Sequence, residues 1–209
     1  NDPKKREYLL KAGEAAQAEY ANEAAIEYFQ RVLPLLPESQ RPAVMRKLGS
    51  VLELVGQWDE ASELYIQGVQ LAQKQNNQQE EAWCEAAQAE LLRKRGRFEE
   101  ATKHLQDAQR TFEKLEDESG VAQAYHSAGT LAAQQGQYEK ARALYEQSLA
   151  LRRELDQPAP IAALLSNLAI IARFQGDLAE SRRLNEEALA IRRQVGDRRT
   201  IANSLNNLG

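Results

Sequence analysis

The hexapeptide GQWDEA at Gly56 returns as GRFEEA at Gly96, GQYEKA at Gly136 and GDLAES at Gly176, a period of 40 residues. Each copy places an aromatic residue or Leu two positions after the Gly and a small residue five positions after it. This repeat constrains the fold more than any other feature of the chain. A unit of about 40 residues cannot bury its own apolar face, so copies have to stack and share a continuous core.

The match extends beyond six residues. Seven positions before each loop Gly stands another small residue: Gly49, Ala89, Gly129, Ala169 and, in a sixth copy, Gly209. After the loop come Ala61, Leu64, Tyr65 and Gly68, and one example later Ala141, Leu144, Tyr145 and Ser148. Spacings of three and four residues put these positions on one helix face. Each unit therefore reads as two amphipathic helices, 41–55 and 59–73 in the clearest early copy, joined by a tight turn. A Gly at that turn supplies positive φ at no steric cost, and small residues let two helix axes approach. The acids Asp59, Glu60, Glu99, Glu100 and Glu139 fall in the first turn of the second helix, where its dipole favours negative charge.

A first copy has a shorter period: Gly13 precedes Gly49, and Ala25 precedes Ala61, by 36 residues, with Tyr20 at the place of the loop Gly. Pro34, Pro37 and Pro42 crowd the tighter link that follows. The expected organisation is one array over 1–209, with repeats at 6–40, 41–80, 81–120, 121–160 and 161–199 and a partial sixth at 200–209. The Asn at the start, the internal Met45 and the interrupted sixth copy lead us to expect a piece of a longer protein.

The small residue of the first helix, the turn Gly and the Ala, apolar, aromatic run of the second helix resemble the tetratricopeptide repeat (TPR) family. They match as Gly49, Gly56, Ala61, Leu64 and Tyr65, and again as Gly129, Gly136, Ala141, Leu144 and Tyr145. The 40-residue period is similar to the long-helix branch that includes kinesin light chains. Phrases such as SLALRRELDQ and SNLAIIARFQGDLAES also resemble the arrays attached to bacterial and cyanobacterial signalling ATPases and regulators. The resemblance implies an all-α, right-handed α-solenoid superhelix of helix-turn-helix hairpins. Departures occur at Gln88, His104 and Asn185, where the family pattern has apolar or aromatic residues.

Composition narrows the function. Thirty-one acids against 27 bases give a net charge of −4 with no polybasic or acidic run, which argues against nucleic acid and membrane surfaces as partners. Paired arginines at 152–153, 182–183, 192–193 and 198–199 interleave with acids and read as a solvated face. No stretch has the length and apolarity of a membrane span, and the N-terminal residues have no signal-peptide core. The single Cys84 has no partner for a disulfide and fits a cytoplasmic location. Cys84, His104 and His126 lack the spacing of metal ligands, and no glycine loop carries the Lys and Ser or Thr of a phosphate site. The expectation is a protein without catalytic residues, metal or cofactor.

The TPR resemblance implies a concave face lined by first helices, and it carries a ligand site to particular positions. These are Arg46, Lys47 and Ser50 in the second unit, Glu90 and Arg93 in the third, and His126, Ser127 and Thr130 in the fourth. The fifth unit supplies Ser166, Asn167, Ile170 and Arg173, and the sixth Asn206 and Asn207. Asn167 and Asn207 share the position two before the small residue, where in several TPR families an Asn holds the backbone of an extended peptide. A carboxamide suits that task because it both donates and accepts. An Asn there equally suits a bond to the neighbouring helix. Arg46, Lys47, Arg93 and Arg173 suit an acidic side chain or a terminal carboxylate. The resulting expectation is a protein- or peptide-binding scaffold; a sensor arm of a larger regulator and an end-to-end self-association module are the alternatives.

Overall fold

The computed structural model describes residues 3–196, 200–202 and 204. Ten α-helices follow one another: α1 (Pro3–Ala18), α2 (Asn22–Val32), α3 (Arg41–Leu54), α4 (Trp58–Lys74), α5 (Gln78–Lys94), α6 (Phe98–Lys114), α7 (Glu118–Gln134), α8 (Tyr138–Glu154), α9 (Pro158–Phe174) and α10 (Leu178–Val195). No strand occurs among the described residues. Two single 3₁₀ turns, Leu33–Leu35 and Glu38–Gln40, occupy the proline-rich link before α3.

The chain divides into two compact units, Asn1–Leu115 and Glu116–Gly209. In the first, α1 packs on α2, α3 on α4 and α5 on α6, while α3 also lies against α5. In the second, α7 packs on α8, α9 on α10, and α7 lies against α9. First helices are thus neighbours within each unit. Each unit has its own core, one built around Phe29, Val51, Leu52 and Tyr65, the other around Tyr145, Leu164, Leu165 and Ile171.

The small residue of the first helix has a specific task. Gly13, Gly49 and Gly129 each face an aromatic ring sixteen positions on, at Phe29, Tyr65 and Tyr145. A Cβ at Gly49 would lie 2.4 Å from Tyr65 Cε1, and one at Gly129 would lie 2.7 Å from the Tyr145 ring. Where that residue is Ala, at Ala89 and Ala169, the ring is replaced by Leu105 and Asn185. Buried Asn185 donates to the Ser181 carbonyl at 3.1 Å, which turns its amide into a local helix bond.

The turns show a second regularity. Gly56, Gly96, Gly136 and Gly176 take φ of +74° to +83° inside the hairpins. Between hairpins, Asn76, Glu116 and Asp156 take φ of +54°, +55° and +49°, as does Tyr20 at +57° in the place of the first turn Gly. The residue after three of these turn residues caps the next helix: the side chains of Asn77, Asp117 and Asp177 accept from the backbone N–H of Glu80, Gly120 and Glu180.

One expectation is corrected. Arg152 is not part of a solvated face; it is 5% exposed. It lies where Phe112 lies one period earlier, and Gln123 lies where Trp83 lies, so an aromatic pair with centroids 4.9 Å apart gives way to a hydrogen-bonded one. Arg152 donates to Gln123 Oε1 at 3.1 Å, to Ser119 at 3.2 Å and to Gln157. Burial lowers the pKa of its guanidinium against the opposing pull of Asp117. Arg192 is likewise drawn in, donating to Ser166 Oγ and the Ala162 carbonyl.

Candidate functional site

The residues assigned to the first-helix faces fall into two groups, one in each unit, and they differ in kind. In the first unit the basic residues are already paired. Arg46 approaches Glu80 at 3.8 Å with its guanidinium 5.3 Å from the Trp83 ring centre, Lys47 pairs with Glu14, and Arg93 pairs with Glu90. Ser50 donates to the Lys47 carbonyl and accepts from Gln17. Nearby Glu53, though it lies on a first helix, is taken up by Tyr65 OH and by Lys94 at 2.6 Å. This surface is self-satisfied by ion pairs.

The second unit presents a neutral strip. His126 on α7 and Asn167 on α9 meet, with the Asn167 amide nitrogen 2.9 Å from His126 Nε2. An amide nitrogen only donates, so in this arrangement Nε2 accepts and Nδ1 carries the imidazole proton. The imidazole also stands edge-on to the Tyr145 ring, with centroids 5.8 Å apart. Tyr145 OH donates to Thr130 Oγ1 at 3.2 Å, and Thr130 donates to the His126 carbonyl at 3.0 Å. Ring, hydroxyl and carboxamide are therefore fixed by one another, and Asn167 Oδ1 remains as an acceptor.

The other assigned residues are placed as follows. Ser127 and Ser166 are buried, the first accepting from Gln123 and the second from Arg192. Ile170 and Arg173 are exposed farther along α9. Asn206 and Asn207 lie outside the described residues. Residue-by-residue reading did not find Gln123, which links Ser127 to Arg152, or the contact between His126 and Asn167. The only signal for that contact was the period itself, which puts positions 126 and 167 on adjoining first helices. Among the described residues, no three His, Cys, Asp or Glu cluster as metal ligands, and no helix is long and apolar enough to cross a membrane.

The profile of the family described as Tetratricopeptide repeat matches residues 40–114, 82–154 and 160–209. The chain belongs to the tetratricopeptide repeat family. Its fold is accordingly an all-α solenoid of helical hairpins, and solved TPR structures are superimposable on it. The Rap conjugation gene regulator of plasmid pLS20, in complex with a Phr peptide, has a TM-score of 0.83 at 17% identity over 91% of this chain. This TPR chain spans only 54% of that protein. A thermophilic TPR protein of Thermus thermophilus has a TM-score of 0.70 at 24% identity, covering 96% of this chain and 98% of its own. A kinesin light chain-like repeat protein of Podospora anserina has 0.57 at 20%, covering 94% and 99%. No curated protein matches the sequence. At these identities the structural likeness speaks for the fold.

Proposed function

We propose that this TPR chain is a non-catalytic scaffold that binds an extended peptide or protein segment along its first helices, with the α7–α9 strip as the principal contact. The observation that carries this reading is the His126–Asn167 bond, which fixes a carboxamide whose Oδ1 accepts no hydrogen bond among the described residues. An extended backbone offers N–H groups at regular spacing, and a fixed acceptor engages one without losing side-chain entropy on binding. That a Rap regulator of similar fold is known in complex with a peptide supports the ligand class. Pairing of Arg46, Lys47 and Arg93 with carboxylates supports a partner other than nucleic acid, which needs uncompensated positive charge.

The test is selection from a displayed random dodecapeptide library. Wild-type chain and an Arg182→Ala control on the outer surface of α10 should enrich the same sequences, and Asn167→Ala and His126→Ala should each cut retention of those sequences about tenfold, roughly the 1.4 kcal/mol of one lost hydrogen bond. Equal retention by all four proteins would refute the reading. A second reading, a regulatory arm joined to an effector domain, draws on the Rap regulator, of which the chain spans about half. Flanking ATPase or DNA-binding sequence in the parent reading frame would favour it.

A further inference from the structure

The turn edge of the first unit carries an apolar patch at the tip of the α3–α4 hairpin. Leu54 ends α3, Val55 follows it and Trp58 opens α4, with exposures of 59%, 41% and 38%. At the places of Leu54 and Val55 the later hairpins have Lys94 and Arg95, Gln134 and Gln135, and Phe174 and Gln175. Phe174 finds a ring in the hairpin before it, stacking on Tyr138, the first residue of α8, with centroids 5.0 Å apart. The first residue of α2 is Asn22, so the preceding hairpin offers Leu54 no such ring. The Trp58 indole donates to the Glu53 carbonyl at 3.2 Å, which satisfies its one polar atom and leaves the ring for apolar contact. Apolar side chains exposed side by side within a polar rim mark an interaction surface.

The rim sets the sign of the partner. Lys94 and Arg95, the cations nearest in the next hairpin, are taken up by Glu53 at 2.6 Å and Asp59 at 2.7 Å. Glu60 and Glu63 stand exposed on α4 and, among the described residues, pair with no cation. From the other side, Gln17 donates to Ser50 and Lys47 to Glu14, each pair 33 residues apart, and this register carried one turn further sets the α1–α2 turn beside Leu54. That turn brings Glu19 and Glu23, also exposed and unpaired among the described residues. The start of α1 is sixteen residues, or about 24 Å of helix, away from this edge.

We propose that the α3–α4 turn edge docks a basic amphipathic segment of a partner protein, one in which large apolar side chains are flanked by lysine or arginine. The apolar contact supplies affinity, and the unpaired acids on both sides select a cationic partner over an anionic one. This surface is separate from the α7–α9 strip and does not depend on the peptide-binding reading of it.

Trp58 reports on its own surroundings, because Trp83→Phe makes it the only tryptophan and still leaves a ring against Phe112. The full chain with that substitution is titrated with three helical peptides: acetyl-LKKLLKLLKKLLKL-amide, the same peptide with Glu for every Lys, and the same with Ala for every Leu. The Leu-Lys peptide is expected to shift Trp58 emission to the blue in a saturable way and to bind at least tenfold tighter than either of the others. Leu54→Ser with Val55→Ser, and separately Glu60→Lys with Glu63→Lys, should each weaken it at least fivefold while circular dichroism stays unchanged, and Asn167→Ala should leave it unaltered. An unmoved Trp58 signal, equal binding of the Leu-Glu peptide, or binding indifferent to both double variants would overturn the proposal. Binding lost in Asn167→Ala and kept in the Leu54, Val55 variant would do so too, by giving the peptide to the α7–α9 strip. Dimerisation in light scattering abolished by Leu54→Ser, with no peptide bound, would assign the patch to a second copy of the chain instead.

Discussion

A ring and the residue beneath it are the unit of packing at the smallest scale. Tyr65 and Tyr145 are seated because Gly49 and Gly129 have no Cβ, and at these distances neither ring has room to retreat within a close-packed core. Gly129→Ala is expected to cost about 1–3 kcal/mol by overpacking, read as a lower denaturation midpoint, and pairing it with Tyr145→Leu should recover much of the loss, as Ala89 and Leu105 already do. Arg152 makes the opposite kind of prediction. Because its hydrogen-bond partners are neutral and burial outweighs the pull of Asp117, Arg152→Phe with Gln123→Trp should keep or raise stability, whereas Arg152→Ala should lose about 2–4 kcal/mol by leaving a cavity and an unmatched Gln123. Cys84 adds a pH dependence. Burial pushes its thiol up from 9.0 to about 12, so the unfolded chain releases this proton at lower pH than the folded one. The folded state then binds more protons between these values, and stability contributed by the thiol is full below pH 9 and falls as pH rises from there towards 12. Alkylation at pH 8 should be slow in the native chain and fast in denaturant; equal rates would contradict the burial.

At the scale of helices and turns, the hairpin is punctuated by single residues in the left-handed region. Gly56 and its counterparts hold that conformation at little cost, while Glu116 carries a Cβ into it. Glu116→Gly is expected to stabilise by about 0.5–1 kcal/mol and raise the melting temperature by roughly 2 °C; a fall would show that the turn is held by something other than its backbone. The helices and their turns were legible in the sequence because they follow from spacing: α3 was expected at 41–55 and is found at Arg41–Leu54, and α4 at 59–73 and is found at Trp58–Lys74. The caps were not, since Asn77, Asp117 and Asp177 differ in type and only geometry shows that each accepts from the residue three ahead. The candidate strip was half legible. Family positions pointed to His126, Thr130 and Asn167, but no single helix carries the sign that two of them bond to each other. Arg152 was misread because a long cationic side chain ordinarily reaches water, and nothing local records that Gln123 replaces Trp83 one period earlier.

For the molecule as a whole, the two units share one hairpin design and spend their polar residues differently. The assigned cations of the first unit are tied up in ion pairs, whereas the described first helices of the second unit carry only Glu118, in the first turn of α7, and Arg173, in the last turn of α9, as charged Asp, Glu, Lys or Arg residues. A ligand that engages the second should therefore feel salt through about one ion pair. Raising salt from 50 to 500 mM is expected to weaken binding by less than about fivefold, since screening acts on exposed charge and leaves neutral hydrogen bonds alone. A steeper loss would move the site to the basic residues of the first unit. The side-chain amide resonance of Asn167, followed as a library-selected peptide is added, tests the central claim most directly. Saturable movement of that resonance together with the His126 ring signals is the predicted result; an Asn167 signal that stays fixed while resonances on α8, α10 or the first unit move would contradict the account.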